Sequence, residues 1–100
     1  MNNLNLNDFT IMTVLHDNFS ISAASAMTLD ELIGFLNQTN FALSSKSIPK
    51  VLHRCVAAGM VGQGFKLGKK NTYYLTPEGQ NLVKHEKQMA EQIEAEAKNN

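Results

Sequence analysis

A chain of 100 residues with 43% hydrophobic side chains has room for one domain with a single core, small enough that a partner chain can matter to its stability. No run approaches the roughly 20 apolar residues of a membrane span, residues 1–7 lack the basic and apolar parts of a signal peptide, and a lone cysteine, Cys55, excludes an internal disulfide and a thiolate zinc cluster. Net charge is zero, yet it is unevenly spread: residues 1–31 hold Asp8, Asp17, Asp30 and Glu31 and no Lys or Arg, whereas residues 32–77 hold Lys46, Lys50, Arg54, Lys66, Lys69 and Lys70 and no acid. A mixed, acid-rich stretch closes the chain. Such segregation is expected of a molecule with one face turned to an anion.

Residues 1–7 are polar and are expected to fray as a disordered N-terminus. Asn7 or Asp8 can cap a first helix over about residues 8–18, with Phe9, Ile11, Met12, Val14 and Leu15 supplying its apolar face. Residues 19–27, FSISAASAM, read as a connector of small residues, long for a domain of this size. Thr28-Leu29-Asp30-Glu31 is a capping box, with Met27 and Leu32 at the staple positions, and it opens a second helix to about Gln38 that carries Leu29, Leu32, Ile33 and Leu36 at core spacing.

After a turn at residues 40–43, a third helix starts at Ser44, Ser45 or Ser47. Pro49 is tolerated only in a first turn, so a cap at Ser47 avoids strain that the other two incur. Gly59 suits its left-handed exit, with Met60 and Val61 folding back onto the core. Residues 61–67 and 72–75 then read as two strands joined by a Gly68-Lys69-Lys70-Asn71 tip. Thr76 and Pro77 form a cap and first helical position for a long last helix to about residue 97. On that helix Leu82, Met89, Ile93 and Ala97 make one stripe, suited to pairing with its own copy in a homodimer. The boundaries are thus an N-terminus at 1–7, a core domain at 8–80 and a dimerising helix at 77–98.

On a helical wheel Ile48, Val51, Leu52, Cys55 and Val56 share one side of the third helix. Lys46, Lys50, His53 and Ala57 lie opposite, with Ser47 and Arg54 on the flank. A helix with one buried and one cationic face fits the major groove of double-stranded DNA, and serines with open amides at its start suit a phosphate. Lys66, Lys69 and Lys70 would add phosphate contacts from the hairpin.

Residues 44–61, SSKSIPKVLHRCVAAGMV, resemble the recognition helix and its exit in winged helix-turn-helix regulators. Tyr73-Tyr74-Leu75-Thr76-Pro77-Glu78-Gly79 is similar to the Y-x-L-T-x-x-G exit from the wing in MarR-like and PadR-like bacterial repressors, and residues 28–36 resemble the helix before the recognition helix. The likeness covers residues 8 to about 85. It implies a mainly α (α+β) winged helix with a two-stranded wing and a long C-terminal helix. It further implies a cytoplasmic regulator of bacterial or phage type, a homodimer on a pseudo-palindromic site. Ser45, Lys46, Ser47, Lys50, His53 and Arg54 would meet the DNA, with Lys69 and Lys70 on the wing. The competing reading is a winged helix that binds protein through Phe65, Leu67 or Tyr74.

Enzymatic signatures are lacking: the sequence has no nucleophile elbow, phosphate loop or dinucleotide fingerprint. His16, His53 and His85 fall on three separate helices without a metal-pair spacing, and Cys55 belongs to a core face. No metal or cofactor is expected.

Overall fold

The computed structural model describes residues 4–38, 44 and 46–98. Helix α1, Leu6–Asp17, starts two residues earlier than the sequence suggests, because Asn5 and not Asn7 or Asp8 is its cap. The Asn5 carboxamide accepts from the Asp8 amide at 3.1 Å, and the Asp8 carboxylate accepts from the Asn5 amide at 2.8 Å. Asp8 therefore occupies the third helical position of a capping box. At the other end Phe19 takes a φ of +59°, a left-handed exit normally given to glycine, while the Ser20 amide reaches back to the Leu15 carbonyl at 2.9 Å.

The 19–27 connector carries structure that its composition does not announce. A turn of 3-10 helix at Ala23–Ser25 leads into strand β1, Met27–Thr28. Helix α2, Leu29–Asn37, begins from Thr28, whose side chain accepts from the Glu31 amide at 3.2 Å while Glu31 returns the bond to the Thr28 amide at 3.2 Å. Met27 and Leu32 are both buried, as staple positions should be.

Helix α3, Ile48–Ala57, follows Ser47, and Pro49 falls in its first turn, where the missing amide costs nothing. Of the three candidate caps Ser45 lies outside the described residues, as does the expected turn at 40–43. Gly59 exits at φ +78°, and the Met60 amide closes onto the Cys55 carbonyl at 3.1 Å. Strands β2, Val61–Gln63, and β3, Thr72–Leu75, follow, and helix α4, Pro77–Lys98, completes the order.

The sheet is antiparallel with order β1-β3-β2, so it has three strands where the sequence announced two. Met27 pairs with Tyr73 and Val61 with Leu75. A two-residue edge strand is too short to show alternation, which is why it reads as loop. The regular part of β2 also stops at Gln63 and not near Leu67; beyond it the hairpin is held by the Thr72 hydroxyl on the Phe65 carbonyl at 2.6 Å and by a Leu67–Lys70 bridge.

One core joins Ile11, Met12 and Leu15 of α1, Leu32 and Leu36 of α2, Ile48, Val51, Leu52 and Cys55 of α3, and Val61, Tyr73, Leu75 and Val83. Phe9, expected among these, is only half-buried and faces α4. Every buried side-chain nitrogen or oxygen among the described residues has a hydrogen-bond partner. No helix among them is long and apolar enough to cross a membrane.

The start of α4 is tied to the exit of α3. Thr76 donates its amide to the Met60 carbonyl at 3.0 Å and its hydroxyl to the Gly59 carbonyl at 2.7 Å. Gly79 lies so near the Met60 carbonyl and the Leu75 side chain that a β-carbon there would collide with both.

Candidate nucleic-acid interface

Amphipathicity decides how α3 sits. Its four buried side chains, Ile48, Val51, Leu52 and Cys55, fix the helix rotation, and this leaves Lys50, His53 and Ala57 exposed on the opposite side. Lys46 is exposed just before the helix and Ser47 is half-buried. Lys66, Lys69 and Lys70 are exposed on the hairpin that α3 leads into through Gly59. Lys46, Lys50, Lys66 and Lys69 form no ion pair among the described residues.

Two cations of this set are engaged by the acidic N-terminal block. Lys70 meets Asp30 at the start of α2 at 3.1 Å, with both side chains largely exposed. Arg54 meets Asp8 of α1: Nη2 lies 2.7 Å and Nε 2.9 Å from the same carboxylate oxygen. The hydrogen bond to Asp8 raises the Arg54 pKa. Segregation of charge along the sequence is thus partly undone in space. Asp8 was missed as a site residue because it reads as a helix cap; the signal available was the place of Arg54 on the flank of the wheel, beside the buried Val51.

The start of α3 also differs from expectation. The Ser47 and Ile48 amides both donate to the Ser44 carbonyl, at 2.9 and 3.3 Å, and Pro49 has no amide to offer. An anion at this end would be met by side-chain hydroxyls and by Lys46 and Lys50, not by an open row of amides.

Cys55 is fully buried, with Sγ 3.9 Å from the Asp8 carboxylate. Burial, reinforced by that neighbouring charge, pushes its pKa up to about 12. It remains a protonated thiol, without nucleophilic character. Among the described residues no three His, Cys, Asp or Glu side chains gather as a metal site.

A second surface lies between α1 and α4. Leu4, Phe9, Met60, Glu78, Asn81, Leu82 and His85 line a groove of about 590 Å³. A smaller one of about 300 Å³ runs on past Leu6, Phe9, Val83 and Ala90. Of the stripe expected for self-pairing, Leu82 is half-buried against the core, Met89 is 45% exposed and Ile93 is 62% exposed. The Ala97 side chain lies outside what is described. Leu6, which the sequence did not single out, is 67% exposed and lines the smaller groove with Val83 and Ala90 of α4.

No protein-family profile and no curated protein sequence matches the chain. Solved structures do. A PadR family transcription regulator from Clostridium difficile R20291 superposes with a TM-score of 0.74 at 15% identity, over 95% of this chain and 97% of that one. MepR, a transcription regulator of the Staphylococcus aureus multidrug efflux pump MepA, gives 0.77 at 10% identity, over 97% of this chain and 65% of that one. BpsR of Bordetella bronchiseptica, whose DNA binding is regulated by 6-hydroxynicotinic acid, gives 0.69 at 22% identity, over 94% and 60%. The chain thus spans 60–65% of the length of the latter two. Its fold is the winged helix of MarR-type and PadR-type regulators.

Proposed function

We propose that this chain is a sequence-specific, double-stranded-DNA-binding transcription regulator, a repressor that works as a cytoplasmic homodimer without catalysis or cofactor. The observation that carries this reading is the outer face of α3. Core packing fixes the helix so that Lys50 and His53 point to solvent, with Lys46 before them and the Lys66, Lys69 and Lys70 hairpin after them. An α-helix presented this way enters a major groove, and flanking lysines hold the phosphates on either side. The winged-helix regulators that share the fold support the reading.

Homodimerisation rests on α4. Residues 88–93 are all exposed, and an isolated helical overhang is marginal in water. Its stripe, continued by Leu6 and Phe9 of α1, suits a second copy of the same surface.

The test is fluorescence anisotropy of a labelled random-sequence duplex at several salt concentrations, wild type beside Lys50→Ala. Phosphate contacts give a log–log salt slope of about 0.9 per contact. Wild type is expected to show a slope of several units, and Lys50→Ala a smaller slope and weaker binding. Equal binding by both proteins, or none at low salt, overturns the reading and leaves the exposed Phe65 and Leu67 of the hairpin as a protein-binding surface.

A further inference from the structure

Asp8 is a charged residue with no exposed surface, at the start of a helix remote in sequence from the cationic face. A buried carboxylate is costly unless paired and hydrogen-bonded. Here it is both. One oxygen accepts from the Asn5 amide at 2.8 Å, and the other accepts from Arg54 Nε at 2.9 Å and lies 2.7 Å from Nη2 in an ion pair. Both Arg54 donors come from one edge of the guanidinium. Arginine has five N–H donors in a rigid planar fork, so the outer edge keeps the remaining ones. The Arg54 side chain is 43% exposed, in contrast to the carboxylate beneath it. Lys50 lies four residues earlier on the same helix, so the two cationic side chains are neighbours on its surface.

We infer that Asp8 is a positioning residue for DNA binding: it grips Arg54 by its inner edge so that the outer edge is held, beside Lys50, for a backbone phosphate. The inference rests on the DNA-binding reading above and revises one part of the sequence expectation. A guanidinium tied at Nε and Nη2 cannot swing to follow a base edge. Its role is a pre-set clamp that positions α3 on the duplex, and base reading falls to Lys46, Lys50 and His53. Fixing the side chain before binding removes an ordering cost that a free arginine would incur on binding. The same pair also joins α1 to α3, so a purely architectural role is the alternative the experiment must separate.

Four proteins decide it: wild type, Asp8→Asn, Arg54→Gln and the double variant, each with a thermal melt and an anisotropy titration of a random-sequence duplex against salt, well below its Tm. Arg54→Gln strands a buried carboxylate and lowers Tm; the double variant, with two neutral amides facing each other, recovers much of that loss. The clamp predicts that DNA binding does not recover with it. Both variants lacking Arg54 keep a salt slope lower by about 0.9 than wild type. Removing a carboxylate ordinarily strengthens binding to a polyanion. Asp8→Asn is expected to do the opposite, weakening binding about 2- to 10-fold with the slope retained, because the charge remains and only its fixation is lost. A double variant with the wild-type slope, or Asp8→Asn binding as tightly as wild type or more so, overturns the inference and leaves the pair architectural. Absence of salt-dependent binding in wild type overturns the DNA reading itself, and is told apart because it appears before any substitution.

Discussion

Truncating Met89 and Ile93 together to alanine should separate association from folding. In one chain these side chains are 45% and 62% exposed, so neither is needed for the core that holds the domain. Full burial of such a side chain is worth about 1.5–3 kcal/mol. Covering the exposed half or so of each, twice over in a symmetric pair, gives about 3–6 kcal/mol. Alanine retains part of that contact area, which leaves a loss of about 4 kcal/mol, or about a thousandfold in the dimer Kd. Sedimentation velocity over a concentration series reads this directly: wild type dimeric at micromolar concentration, the variant monomeric there and pairing only near millimolar. The melt of the dilute variant should match that of dilute wild type. A monomeric wild type, or a variant whose Kd moves less than about threefold, refutes the assignment of the α4 stripe as the seam.

Three further outcomes are expected. Phe19→Gly should raise stability by about 0.5–1 kcal/mol, because φ +59° strains a side chain that is also 76% exposed; a melt should move up about 2–8 °C, and a fall would count against the strain. Asp30→Asn frees Lys70 and removes a carboxylate beside the hairpin, so duplex binding should tighten a few-fold at low salt and the gain should fade as salt rises; an unchanged low-salt affinity would mean that Lys70 does not reach the phosphates. Cys55 should react with a thiol reagent at neutral pH only through unfolding, at a rate that follows denaturant. Because its proton is held up to about pH 12 in the fold but only to about 9.0 in the open chain, unfolding releases a proton and stability falls as pH rises across that window. Fast labelling of native protein would refute the burial.

What could be read ahead of the structure was what depends on neighbours along the chain. The Thr28–Glu31 box, the Gly59 exit and the Thr76-Pro77 start involve partners within a few residues, and each forms as expected. The rotation of α3 was legible for the same reason, since five apolar positions at helical spacing permit one buried side. Legibility failed where two local signals compete or a partner is distant. Asn5, Asn7 and Asp8 all have capping chemistry, and the structure takes Asn5, whose bonds with Asp8 run both ways. Strand β1 exists because β3 pairs with it across the domain, not because Met27 and Thr28 prefer extended backbone. Arg54 and Asp8 are 46 residues apart, and no pattern of spacing joins them. Charge blocks mislead in the same way: a stretch without acids is not a surface without acids once Asp8 and Asp30 fold against it.

The junction at Gly59, Met60 and Thr76 has a mechanical consequence. Two hydrogen bonds and a glycine contact weld the end of α3 to the beginning of α4, so the two helices turn together. Helix α4 has 22 residues and is thus about 33 Å long. In the proposed dimer it is a lever arm: the welded end lies about 20 Å from the Met89 and Ile93 seam, so a change of about 10° in how two copies cross there displaces it by about 3–4 Å. That is about one base-pair step on a duplex whose half-sites repeat about every 34 Å. In that proposed dimer the distance between half-sites would be set by the α4 seam, and the letters within each half-site would be read by α3. Substitutions at Met89 or Ile93, far from any base, should alter which spacings the protein accepts without altering which sequence it reads.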